Sequence, residues 1–108
     1  MDFKEYQDRA LALAVYGKGN AIIYPVLGLN GEAGEVAEKV KKVLRDKNGV
    51  FDDDSKFETA KELGDVLWYI TAAARDLGYD LKQIASINIE KLESRHARNV
   101  IHGNGDNR

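Results

Sequence analysis

The sequence predicts an all-α fold, a four-helix bundle, and two observations lead to that prediction. Apolar residues recur at helical spacing along four segments, and the 108 residues include only one proline. The segments are separated by short stretches rich in glycine, asparagine and aspartate, which are typical of loops. With 44% hydrophobic residues, the chain is long enough to bury one core. We therefore expect a single domain over residues 1–102, followed by a flexible C-terminal tail over residues 103–108.

Local signals indicate the limits of each helix. The first helix should stop before the loop Gly17-Lys18-Gly19-Asn20, and Pro25 suits the first turn of the second helix. Ser55 followed by Glu58 has the pattern of a capping box at the start of the third helix, and Asp80 is a suitable N-cap for the fourth. The predicted helices cover residues 3–16, 25–45, 55–77 and 80–98.

Composition excludes several classes of protein. Without cysteine, the chain cannot form disulfides, thiolate zinc sites or a cysteine nucleophile. The formal net charge of −2 provides no basic field for long nucleic acid. The N-terminus lacks the features of a signal peptide, and no apolar run approaches the ~20 residues of a membrane span. We therefore expect a cytoplasmic protein that binds neither long nucleic acid nor a membrane.

Two similar acidic tetrads are the strongest functional signal. Glu32-Ala33-Gly34-Glu35 and Glu62-Leu63-Gly64-Asp65 each place two carboxylates one helical turn apart, with a glycine between them. Glycine in a helix interior costs about 1 kcal/mol relative to alanine, so its repetition suggests close approach of another backbone. On a helical wheel Glu32 and Glu62 flank the apolar stripes, and we expect Glu32 to be partly buried. Because clustered carboxylates repel one another, the tetrads predict a site for Mg²⁺, with Mn²⁺ able to substitute.

The fourth helix carries a second group of polar residues. Asn88 lies near the centre of its apolar face, and Lys91 and Arg95 project from the same face. One interpretation is a buried polar network with the two cations lying along the edges of the core. The alternative, which we favour, is a polyphosphate clamp, in which an amide and two cations bind anionic oxygens.

At these residues the chain resembles the MazG-like family of all-α nucleoside triphosphate pyrophosphohydrolases. The family signature is E-E-x-x-E, a spacer and E-x-x-D, and the two tetrads match the last two acids of its first element and both acids of its second. Asn88, Lys91 and Arg95 resemble its C-terminal N-x-x-K-x-x-x-R element, and the resemblance covers most of the chain. Gly31 stands where the first glutamate of the E-E doublet is often found, which leaves the number of metal ions open.

The resemblance implies cleavage of a nucleoside or deoxynucleoside triphosphate between its α- and β-phosphates by metal-activated water, yielding the monophosphate and pyrophosphate. The residues implied as metal ligands are Glu32, Glu35, Glu62 and Asp65. Among them, Glu35 is the best placed to orient or deprotonate the attacking water. Lys91 and Arg95 would stabilise phosphate charge, and Asn88 would hydrogen-bond the nucleotide. Base and sugar preference depend on loops and subunit contacts that these motifs do not determine.

Trp68 and the apolar surface of the long helices indicate further contacts. Trp68 lies opposite the apolar stripe of its helix, where it could stack on a nucleotide base or pack against another subunit. We favour the subunit interface, because aromatic residues are enriched there. The second and third helices have apolar residues on more than one side, which predicts a homodimer or a dimer-of-dimers tetramer. The nucleotide site would then lie near the subunit interface.

Two other functions fit parts of the sequence. A di-iron carboxylate bundle would need E-x-x-H motifs on two helices, but only Glu93-Ser94-Arg95-His96 has this pattern. A non-catalytic oligomerisation or regulatory module could hold a structural cation with the tetrads, but it leaves the polar face of the fourth helix unexplained. Mg²⁺-dependent turnover by a chain that stays folded without Mg²⁺ would favour the enzyme.

Overall fold

Four α-helices form the protein in a computed structural model that describes all 108 residues. The elements, in chain order, are α1 (Phe3–Leu11), a short 3₁₀ turn (Lys18–Asn20), α2 (Ile23–Lys47), α3 (Asp53–Asp76) and α4 (Leu81–Ala97). The chain contains no β-strand, so the all-α prediction is confirmed. None of the helices combines the length and the apolar character needed to cross a membrane.

A hairpin of α2 and α3 is the main packed unit. The two helices pack along much of their length, and the short turn between them makes them antiparallel. Asn48 and Gly49 end α2 with positive φ angles of 54° and 76°. Asp52 caps α3 by accepting hydrogen bonds from the N–H and the hydroxyl of Ser55, at 2.8 and 2.7 Å. The predicted cap at Ser55 is therefore wrong, because the stronger carboxylate acceptor of Asp52 starts the helix two residues earlier.

The segment between α1 and α2 departs most from the prediction, since α1 ends at Leu11 and not at Tyr16. Beyond Leu11 the chain turns so that the Tyr16 hydroxyl donates to the carboxylate of Asp76, 2.8 Å away at the end of α3. Asp76 also accepts a hydrogen bond of 2.9 Å from the N–H of Ile22. These long-range hydrogen bonds require an irregular path for residues 12–22, and they override the local helical propensity.

The N-terminus of α4 docks on α1. Asp80 accepts a hydrogen bond from the N–H of Gln83, and the Gln83 side chain accepts one from the N–H of Asp80. This capping box confirms Asp80 as the N-cap. The N–H of the buried residue Leu81 donates to the side chain of Gln7 in α1, at 2.9 Å. The start of α4 is thereby tied to α1.

The core of a single chain is small. Only ten residues are buried, and they include the run from Thr71 to Ala74 in α3. Small side chains in this run allow neighbouring segments to approach α3 closely. Large apolar residues of α2 and α3, among them Leu27, Leu44 and Leu63, remain exposed. One chain therefore leaves much apolar surface uncovered.

Candidate functional site

Three of the four predicted metal ligands meet where α2 and α3 face each other. Carboxylate oxygens of Glu32, Glu62 and Asp65 lie within 4.8 Å of one another. Glu32 belongs to α2 and the other two to α3, so the hairpin brings the acids together. Glu32 and Glu62 are half-buried, whereas Asp65 is exposed. The expected partial burial of Glu32 is confirmed.

This acidic cluster makes ionisation of Glu32 less favourable than in an isolated side chain. Desolvation raises the pKa of the Glu32 carboxyl above its usual value, and the charges of Asp65, Glu62 and Glu35 raise it further, in that order. A divalent cation would offset this repulsion and would accept the carboxylate oxygens as ligands. The residues therefore fit Mg²⁺ or a similar oxygen-preferring cation.

Lys39 of α2 places a positive charge at the edge of the acidic cluster. Its ammonium nitrogen lies 3.9 Å from a carboxylate oxygen of Glu62 and 3.8 Å from one of Glu58. The two acids share one face of α3, because they are four residues apart. Sequence reasoning missed Lys39, although its position four residues after Glu35 places it on the acidic side of α2. Lys39 offsets part of the negative charge of Glu62.

Glu35 lies outside the group of three. It follows Glu32 by one turn of α2, and its side chain is exposed. Of the three neighbouring carboxylates, it has the smallest effect on the pKa of Glu32. To serve as a ligand, its flexible side chain has to turn toward the acidic cluster. Its roles in metal binding and in orienting water stay predictions.

A pocket of about 370 Å³ opens beside the acids. Its lining consists of Leu13, Glu32, Asp65, Trp68 and Tyr69. A planar group can lie against the aromatic side chains while an attached anion reaches a cation held by the carboxylates. A larger cavity of about 530 Å³ lies between α1 and the start of α4, but none of the predicted site residues lines it.

Trp68 belongs to an aromatic cluster within the chain and is half-buried. Its indole N–H donates to the carbonyl of Ala10 at 3.0 Å, and its ring meets that of Tyr69 edge-on, with centroids 5.1 Å apart. Tyr16 stacks on Tyr24 at 5.1 Å, and these two rings contact Trp68 and Tyr69 respectively. Its position opposite the apolar stripe of α3 predicts an exposed side chain, and this prediction is wrong, because α1 covers that side of α3.

The glycine that permits close packing is Gly28 and not the glycines of the tetrads. A Cβ atom on Gly28 would stand 2.2 Å from the ring of Tyr69, so only glycine fits there without displacing the ring. Nothing lies within 4 Å of the corresponding positions on Gly34 and Gly64. The expectation of close approach at these two glycines is therefore wrong within a single chain.

The predicted polyphosphate clamp is not beside the acids in a single chain. Arg95 is buried and Lys91 is half-buried, but no residue of α4 lines the pocket. Asn88 is exposed. Its expected inward position is wrong, because only a narrow side of α4 is covered by the rest of the chain. The predicted site residues that the structure brings together are Glu32, Glu62, Asp65 and Trp68.

Lys91 and Arg95 share a carboxylate from the C-terminal tail. Asp106 accepts a hydrogen bond of 2.7 Å from the Lys91 ammonium and one of 3.0 Å from the Arg95 guanidinium. The hydrogen bond from Lys91, followed by that from Arg95, holds the pKa of the Asp106 carboxyl below its usual value. The two cations therefore bind an anionic group that the chain itself supplies.

Known proteins are similar to this chain over most of its length. The family model described as the MazG nucleotide pyrophosphohydrolase domain matches residues 25–100. The Gene 37 protein of Mycobacterium phage L5 is 45% identical over 109 residues, which cover 95% of this chain and 96% of that protein. No solved structure matches the chain. The range matched by the family model contains every residue predicted as a metal ligand or substrate contact.

Proposed function

Because this chain belongs to the family of MazG nucleotide pyrophosphohydrolase domains, we propose that it is a Mg²⁺-dependent nucleoside triphosphate pyrophosphohydrolase. It would cleave a nucleoside or deoxynucleoside triphosphate into the monophosphate and pyrophosphate by attack of water. The proposal depends on one observation, the meeting of Glu32, Glu62 and Asp65 beside a pocket with aromatic walls. A substrate of this class needs a cation site for its phosphates and a flat surface for its base.

The acids divide into two roles. Glu32, Glu62 and Asp65 would hold the cation, with Glu35 able to serve as a fourth ligand from the next turn of α2. Bound there, Mg²⁺ would neutralise phosphate charge and lower the pKa of water. The carboxylate of Glu35 is exposed and outside the crowded group, so it can accept a hydrogen bond or a proton from the attacking water. We therefore assign the catalytic role to Glu35.

The aromatic walls and the cations of α4 would bind the two ends of the substrate. Stacking of a base on an aromatic side chain such as Trp68 contributes about 1–3 kcal/mol. Lys91 and Arg95 would bind the phosphates, with Asn88 as an additional donor. Since these α4 residues lie outside the pocket of their own chain, a neighbouring copy would bring them to the acids. We propose a homodimer or a dimer of dimers, with the nucleotide site near the subunit interface.

Product analysis tests the proposed reaction. A panel of ribonucleoside and deoxynucleoside triphosphates, incubated with and without Mg²⁺, should give monophosphate and pyrophosphate only when Mg²⁺ is present.

Glu62→Gln and Asp65→Asn should each abolish turnover and leave helix content intact. Asp46→Asn is a matched control, because Asp46 is an exposed acid of α2 that pairs only with Arg45. Retained activity in both acidic variants would exclude the metal site. No turnover together with unfolding on removal of divalent cations would favour the non-catalytic module.

Mixing of variants tests the contribution of a neighbouring copy. Glu62→Gln damages the acidic cluster, and Lys91→Ala damages the clamp, so each variant alone should be inactive. If the two halves of a site come from different chains, co-refolded mixtures should regain activity, because some mixed oligomers contain one intact site. Mixtures as inactive as the separate variants would contradict a site shared between chains.

A further inference from the structure

The connection between α1 and α2 contains a strained turn. At Ile22 φ is 69° and ψ is −57°, and the N–H of Ile23 donates to the carbonyl of Ala21 at 2.8 Å. These values describe a γ-turn with positive φ, which is rare and strained. A β-branched side chain such as that of Ile22 is especially disfavoured at positive φ. Other contacts in the folded chain must therefore hold this conformation.

Asp76 supplies those contacts. Its Oδ2 atom accepts hydrogen bonds from the N–H of Ile22 at 2.9 Å and from the hydroxyl of Tyr16 at 2.8 Å, while Oδ1 pairs with Arg75 at 3.3 Å. The side chain of Asp76 is only 7% exposed. Its burial acts to raise the pKa, but the hydrogen bonds from Ile22, Tyr16 and Arg75 outweigh burial and lower the pKa overall. The buried carboxylate is thus charged and bonded on both oxygens.

The same connection supports the aromatic walls of the pocket. Tyr16 meets Trp68 edge-on with 6.5 Å between ring centroids, and Tyr24, two residues after the strained turn, lies 6.4 Å from Tyr69. Trp68 and Tyr69 line the pocket, as does Leu13 from the connection itself. The placement of these walls therefore depends on the path of residues 12–22.

We propose that Asp76 is a positioning residue for nucleotide binding, acting through Tyr16 and the turn at Ile22 on the aromatic walls formed by Trp68 and Tyr69. The proposal rests on the proposed function in one respect, that the pocket receives the nucleotide. Asp76 does not line the pocket and acts only through these neighbours. The strain at Ile22 persists because surrounding contacts over-determine the turn, as is common near binding sites. Without the carboxylate, the turn at Ile22 relaxes and the side chains of Trp68 and Tyr69 become more mobile.

Fluorescence of the chain's single tryptophan, Trp68, reports on the walls directly. In the nucleotide-free protein, Asp76→Ala should increase quenching of Trp68 by acrylamide, because Tyr16 no longer holds its place against the indole. Tyr16→Phe removes the hydroxyl, which donates to Asp76 and accepts a hydrogen bond from Arg75, but keeps the ring, so it should cause a smaller increase. Because one oxygen of Asp76 accepts from both Ile22 and Tyr16, an amide could keep both bonds, so Tyr16→Phe and not Asp76→Asn supplies the test if Asp76→Ala does not fold. Asp46→Asn is the matched control and should quench like the wild type. Wild-type quenching in Tyr16→Phe, and in Asp76→Ala where that variant folds, would overturn the proposal.

Turnover separates positioning from a general loss of structure. Asp76→Ala should raise the KM for the triphosphate roughly tenfold and leave kcat within about twofold, because hydrogen bonds to a charged group are lost far from the acids. A fall in kcat at unchanged KM would contradict the positioning role. If the wild type hydrolyses no triphosphate, the proposed function fails, and the quenching data still decide whether Asp76 holds the walls.

Discussion

At the scale of single residues, the acidic cluster lowers the folding stability of the metal-free chain. The same residues would bind a cation. Desolvation and neighbouring charges raise the pKa of Glu32, so the folded chain holds a proton there more tightly than the unfolded chain does. The stability contributed by this residue is present at low pH and is lost as the pH rises through the interval between the unfolded and folded pKa values. A cation that binds only the folded chain would reverse this loss.

Asp65→Asn should raise the melting temperature of the metal-free protein at neutral pH, because it removes the neighbouring charge with the largest effect on the pKa of Glu32. Mg²⁺ should raise the melting temperature of the wild type and leave that of the variant nearly unchanged. Circular dichroism melts in EDTA and in Mg²⁺ measure both effects. Asp46→Asn should respond to Mg²⁺ as the wild type does. An Asp65→Asn protein that is less stable in EDTA, or that Mg²⁺ still stabilises, would contradict this charge argument.

The tail residue Asp106 should compete with polyphosphate for Lys91 and Arg95, since its carboxylate already bonds to both cations. Asp106→Ala should therefore bind inorganic pyrophosphate more tightly, by up to about fivefold, as the energies of partly exposed ion pairs indicate. Isothermal titration calorimetry gives the affinities. Asn107→Ala changes the same tail without touching the cations and should bind like the wild type. Equal affinities for Asp106→Ala and the wild type would mean that pyrophosphate binds elsewhere.

At the scale of the helices, the register between α2 and α3 determines which residues meet. The turn at Asn48 and Gly49 and the cap at Asp52 fix this register. Gly28 then fixes the distance between the helices where Tyr69 forms a wall of the pocket. The acids and the aromatic wall are therefore placed by one hairpin.

Gly28→Ala should destabilise the protein by about 1–3 kcal/mol, because the new methyl group overlaps the Tyr69 ring and forces it to move. The near-ultraviolet circular dichroism of the aromatic cluster should change as well. Gly31→Ala, one turn further along α2, is the matched control, because nothing lies within 4 Å of its Cβ position. This control should be as stable as the wild type or slightly more stable. Wild-type stability and spectra for Gly28→Ala would show that the contact does not limit the packing.

Local patterns were sufficient to predict the four helices, the cap at Asp80 and the acids that meet between α2 and α3. The helices and the cap depend on residues within a few turns of one another, where periodicity and spacing are informative. The meeting of the acids joins two helices, and it is predicted from the similarity of the two tetrads and from the resemblance to a family. The hydrogen bond from Tyr16 to Asp76 joins residues 60 positions apart, and no periodic pattern indicates it. The close approach of Gly28 to the Tyr69 ring and the exposure of Asn88 depend on the angles at which the helices cross. Crossing geometry follows from side-chain packing between elements, so a helical wheel cannot supply it.

At the scale of the whole molecule, one side of α2 between Ile23 and Ala37 is uncovered and, apart from Asn30, apolar. Ile23 and Leu27 are 65% and 68% exposed. Gly34 and Ala37, also exposed, fall on the same side at about 100° of rotation per residue. The two large apolar residues provide apolar surface, and the two small ones, on the far side of Asn30, allow another helix to approach closely. A second copy of the chain would cover this side, as the proposed homo-oligomer requires.

Leu27→Glu should convert the proposed oligomer to a monomer and preserve helix content, because a charge buried in an apolar contact lacks a partner. Size-exclusion chromatography with light scattering, at several concentrations, measures the mass. Val15→Glu makes a similar change at a residue that is 95% exposed in the α1–α2 connection, and it should leave the mass unchanged.

Since the α4 cations are proposed to come from a neighbouring copy, Leu27→Glu should also lose turnover while Mg²⁺ still raises its melting temperature. A monomeric wild type with full activity would contradict both the contact surface and the shared site, whereas an oligomeric Leu27→Glu would exclude this side of α2 alone.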